Sequence, residues 1–136
     1  MERLSESDRE LADRWLSNVR VRLARVGSPE PDPSSPLRRI DEDADDDVLA
    51  IVADDSDPER GWSFVNHLLQ SARDEPEIRQ IGIDALETLL RESGDQLADL
   101  FRVSIRSDKR LREAASHSYL SGKVGEIAKA EGIYPH

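Results

Sequence analysis

The sequence contains no cysteine, which excludes disulfides, thiolate zinc sites, iron–sulfur clusters and cysteine catalysis. Aromatic residues make up only 4% of it: Trp15, Trp62, Phe64, Phe101, Tyr119 and Tyr134. No apolar run approaches the roughly 18 residues that would cross a bilayer, so no membrane partner is expected. The opening Met1-Glu2-Arg3-Leu4-Ser5-Glu6 is charged and lacks a secretory h-region, so a cytoplasmic protein is expected. Strand-type alternation is missing throughout. What remains is 136 residues, 37% hydrophobic and 35% charged, long enough to bury a core without staples.

The net charge of −10 is confined to one place. Residues 1–40 hold 8 basic and 7 acidic side chains, and residues 60–136 hold 11 and 12. Residues 41–59 hold 10 acids and no base: Asp41, Glu42, Asp43, Asp45, Asp46, Asp47, Asp54, Asp55, Asp57 and Glu59. A confined patch of this sign attracts cations or a basic protein and disfavours nucleic acid. The plainer alternative is a solvated stretch that maintains solubility.

Punctuation and periodicity predict helices along the whole chain. Ser7 and Glu10 have capping-box spacing, and Leu11, Trp15, Val19, Leu23 and Val26 then share one face. Gly27 is placed to close this first helix, residues 1–27. Residues 28–40 hold four of the seven prolines and read as an extended linker before a helical unit at 41–136. Val48, Leu49, Ile51 and Val52 predict a short helix with acids outside it. Asp57-Pro58 and Asp74-Glu75-Pro76 are helix starts. Trp62, Val65, Leu68, Leu69 and Ala72 form one buried face, and Ile78, Ile81, Ala85, Leu86, Leu89 and Leu90 another.

Gly82 lies inside that second pattern, at a cost of about 1 kcal/mol unless another backbone packs closely there. Gly94 is expected to stop the helix and Asp95 to cap the next, with Leu97, Leu100, Phe101 and Ile105 apolar. Ser107 or Asp108 opens a helix carrying Leu111, Ala114, Ala115 and Tyr119, and Val124, Ile127 and Ala128 suggest a last one. The fold class is all-α: a small bundle of antiparallel hairpins, HEAT-like around 81–90, with a long N-terminal helix.

Chemistry is hard to find in these residues. His67, His117 and His136 have no histidine three or four positions away, so no metal is expected. Asp41-x-Asp43-x-Asp45 opens like an EF-hand loop, but Asp46 and Val52 stand where glycine and glutamate belong. No GxSxG, phosphate-cradling loop or nucleotide fingerprint occurs, so neither catalytic residues nor cofactors are expected. Two basic clusters exist: Arg14, Arg20, Arg22 and Arg25, and Arg102, Arg106, Lys109, Arg110 and Arg112. The second suits an acidic partner, or internally the acidic stretch of this chain or a second copy.

Asp57-Pro58, Trp62-x-x-Val65-x-x-Leu68-Leu69, Ile81-Gly82, Leu86-Glu87-x-Leu89-Leu90, Gly94 and Asp108-x-x-Leu111 mark the stretch 57–120. It resembles a family of small bacterial helical domains of unknown function. The family has a Gly-Pro pair before the Leu-Glu, where this chain has Asp84 and Ala85. The resemblance implies a helical fold and a bacterial origin, and brings no catalytic residue. Glu87 is the polar residue to watch, with capping or bridging a neighbouring helix as its expected role.

The leading expectation is a non-enzymatic interaction protein whose ten acids bind a basic protein partner, by analogy with immunity proteins and antitoxins. The alternative is a homo-oligomer in which helix one presents Trp15 to a second copy.

Overall fold

The computed structural model describes residues 4–25 and 40–133. Within them every regular element is helical and no strand occurs. The helices are α1 (Glu6–Arg25), α2 (Glu42–Val52), α3 (Pro58–Ser71), α4 (Glu75–Ile81), α5 (Glu87–Ser107), α6 (Lys109–Ser116) and α7 (Gly122–Ala130). A π-helical turn, Gly82–Leu86, joins α4 to α5 without a break, giving one rod of 33 residues. The expected closure at Gly27, the linker residues 28–39, Tyr134 and His136 lie outside the described residues.

Most starts fall where short-range chemistry puts them. Asp57, Asp74 and Asp108 each accept a backbone N–H from the first turn of the helix that follows. The first helix is the exception, because it begins two residues early. The Ser5 hydroxyl accepts the Asp8 N–H at 3.1 Å, so Ser5 takes the role that spacing assigned to Ser7.

The rod departs most from expectation. The break expected at Gly94 is present as a kink rather than a helix end, and Asp95 makes no capping hydrogen bond among the described residues. The chain bends one residue earlier, at Ser93, whose φ of −127° and ψ of 16° are not helical. The buried Ser93 hydroxyl has no hydrogen-bond partner there. Gly94 packs closely on α7, since a Cβ on it would lie 3.3 Å from a Val124 methyl.

Every other helix touches this rod. Phe64, Leu68 and Leu69 of α3, Leu86, Leu89, Phe101 and Ile105 of the rod, and Leu111 of α6 are all buried to 1% exposure or less. α6 crosses the rod at Gly82, where an added Cβ would stand 2.3 Å from the Ala114 carbonyl oxygen. The close-packed backbone that would justify a glycine at this position is thus present. The wide π turn leaves the Gly82 carbonyl able to accept two donors, the Glu87 N–H and the Ser118 hydroxyl at 2.7 Å.

Trp15 is 4% exposed and packs in the same core, so it offers no face to a second copy. Leu49, Leu100 and Tyr119, counted among the apolar residues of their helices, are 52%, 43% and 82% exposed, and Tyr119 lies beyond the end of α6. Ala44, Val48, Ile51 and Val52 make a complete inner stripe on α2, and Leu49 lies off its edge.

Candidate functional site

The acidic stretch divides into carboxylates the fold consumes and carboxylates it leaves outside. Asp41 caps α2, its Oδ1 accepting the Ala44 N–H at 3.0 Å while its Oδ2 accepts Arg14 Nε at 2.8 Å. Asn18 of α1, 1% exposed, meets the same residue twice. Its Oδ1 accepts the Asp41 N–H and its Nδ2 donates to the Asp41 carbonyl, both at 2.7 Å. That Nδ2 also donates to Asp45 at 3.0 Å, and Arg22 closes on the Asp45 carboxylate.

These contacts displace titration. The Arg14 bond, then the Ala44 N–H, hold Asp41 below its ordinary value. Burial pushes Asp45 up, but the bonds from Arg22 and Asn18 outweigh it and the carboxyl also sits low. Asp54 accepts the N–H and hydroxyl of Ser56, which lower it too, and Asp57 caps α3.

The other six acids, Glu42, Asp43, Asp46, Asp47, Asp55 and Glu59, are exposed. They make no side-chain hydrogen bond or ion pair among the described residues. Four of them stand on the outer side of α2, and two flank the turn into α3. Beside them an open groove of about 520 Å³ runs between α1 and α2, with Glu10, Arg14, Asp47, Asp54 and Arg60 on its walls. Asp41, Asp43 and Asp45 sit at the cap and first turn of a helix, so they do not form a calcium loop.

Most members of both basic clusters bond within the fold. In α1, Arg14 and Arg22 answer the acidic stretch, and Arg20 reaches the buried Glu77 at 3.2 Å. The cluster at 102–112 does not answer that stretch at all. Arg106 pairs with Glu131 at 2.7 Å and Arg112 bonds the Glu131 carbonyl. Arg110 donates to the carbonyls of Leu69 and Ala72 at 2.6 and 2.8 Å, closing the open end of α3. Arg102 lies 3.5 Å from Asp99, which leaves Lys109 alone of the five without such a bond among the described residues.

Glu87 accepts the Tyr119 N–H and so caps the loop after α6, a structural role as expected. His67 is half-buried on α3, and His117 ends α6 with its Nε2 3.2 Å from Glu113. No family model, curated protein or solved structure matches the chain, so the resemblance over 57–120 rests on its own motif residues.

Proposed function

We propose that this chain is a non-enzymatic protein-interaction module that docks a basic protein partner through the outer face of α2 and the turn that follows. The observation that carries this reading is the division of the acidic stretch. Capping and pairing account for Asp41, Asp45, Asp54 and Asp57, whereas six carboxylates crowd one short segment with no side-chain hydrogen bond or ion pair among the described residues. Keeping like charges this close opposes folding, and a basic surface would relieve the repulsion. Catalysis through clustered carboxylates needs one that titrates near neutrality. Every carboxyl with a displaced pKa among the described residues, Asp41, Asp45, Asp54, Glu113 and Glu131, is displaced downward. The class of proteins that neutralise basic toxins fits by analogy of size and charge.

The test compares two variants of equal charge. One carries Asn or Gln at Glu42, Asp43, Asp46, Asp47, Asp55 and Glu59. The control carries them at Glu6, Asp13, Glu92, Asp95, Asp99 and Glu126, all exposed elsewhere. Wild type and control should retain the same Lys- or Arg-rich protein from a native lysate, with retention falling steeply as salt rises. The first variant should lose it. Equal retention by all three forms would reduce the patch to a solubility feature.

A further inference from the structure

Carboxylates packed between helices in this protein are generally met by arginine. Asp8 receives Arg60 at 2.9 Å, Glu77 receives Arg20, and Asp45 receives Arg22. A more open pair of carboxylates is placed differently. Where the start of α4 lies against α6, the carboxylates of Glu75 and Glu113 come together with the His117 imidazole, their ligand atoms all within 4.8 Å of one another. No arginine bonds either carboxylate, and the ion pair of Glu113 is with His117. Glu113 thus has the Glu75 carboxyl and the His117 ring as hydrogen-bond neighbours, with the Arg79 charge near enough to be felt.

We propose that Glu75, Glu113 and His117 form a binding site for a divalent transition-metal ion of borderline softness, with Zn²⁺ as the ion of best fit. Two carboxylate oxygens and one imidazole nitrogen are a donor set zinc accepts at about 2.0–2.2 Å, which leaves a fourth position for water. Magnesium and calcium prefer sets made of oxygen alone. The 3.2 Å between Glu113 Oε1 and His117 Nε2 is already the spacing of two ligands on one tetrahedral ion.

The backbones that carry these groups are fixed independently of any ion. Glu75 follows the Asp74 cap and precedes Pro76, and His117 closes α6 with its N–H on the Ala114 carbonyl. Glu113 and His117 are four residues apart, so they project from one face. Only the carboxylate of Glu75, on an exposed side chain, needs to swing inward. An open groove of about 550 Å³ borders the cluster, with Glu75 and Glu113 but also Lys109, Arg110 and Arg112 on its walls, and leaves room for the ion's water. Bound there, the ion would tie the start of α4 to the end of α6. This site is separate from the acidic face of α2, and neither reading depends on the other.

Titration calorimetry of the full chain with ZnCl₂ tests the proposal. The expected result is one saturable site, weakened by at least roughly 10–100-fold in E113Q and in H117Q, the loss that follows even from removing outer-shell support. H67Q should bind as wild type does, and excess Mg²⁺ should not compete. The His117 imidazole resonances should shift on zinc addition, with circular dichroism confirming that each variant is folded. Absence of a saturable site would overturn the proposal. So would unchanged binding in H117Q, effective competition by Mg²⁺, or loss of binding in the six-acid variant of α2 instead.

Discussion

Between α1 and α2 the decisive contacts are charged and hydrogen-bonded, whereas between the rod and α6 they are small and close. In the first seam Asn18, Arg14 and Arg22 reach Asp41 and Asp45. In the second Gly82 lies against Ala114, and the Ser118 hydroxyl bonds the carbonyls of both. A charged seam tolerates a change of shape and responds to pH. A close-packed seam ignores pH but has no room for a methyl group.

Gly82→Ala gives that contrast its harshest test. In an exposed helix the change adds about 1 kcal/mol of stability. Here the new Cβ meets a carbonyl oxygen, so the variant should lose about 2–3 kcal/mol by chemical denaturation. Stability equal to wild type would mean that the crossing is looser than its geometry. Asn18→Ala should cost less, about 2 kcal/mol, because it strips partners from the backbone of Asp41 without forcing helices apart. A loss below about 0.5 kcal/mol would remove Asn18 from the seam.

The smallest effect separates the seams most cleanly. Asp41 and Asp45 are held below their unfolded values, so their contribution is complete above about pH 4. It is lost as pH falls through the lower folded values. D41N/D45N, which retains a capping side chain at 41, should flatten the acid limb of a stability–pH curve. Gly82→Ala should lower that curve without changing its shape. A double variant with the wild-type acid limb would show that the arginine bonds contribute nothing.

Features set by neighbours in the chain were legible from sequence. Asp57, Asp74 and Asp108 cap the helices they precede. Features set by distant partners were not. Asp45 looked like one more outward acid because Asn18 and Arg22 lie across the proline-rich segment from it. Gly94 carries the ordinary signal of a helix end, yet the chain only kinks at Ser93 beside it, and Val124, thirty residues on, packs closely against Gly94. The Glu113–His117 spacing is visible in the chain, but Glu75 joins it only through the packing of α4 on α6. The six free acids were recognised as acids but could not be told from the four the fold consumes.

The rod of 33 residues, roughly 50 Å if straight, is a shared partner for all the other helices. That arrangement couples the two seams although neither touches the other's chemistry. A helix that detaches uncovers part of the rod, and the exposed rod surface then weakens the hold on its remaining neighbours. Loss of structure should therefore spread through the rod as one event instead of peeling from an end. The consequence for the acidic face is mechanical: α2 is braced against the rod, so a partner would meet carboxylates already held in place.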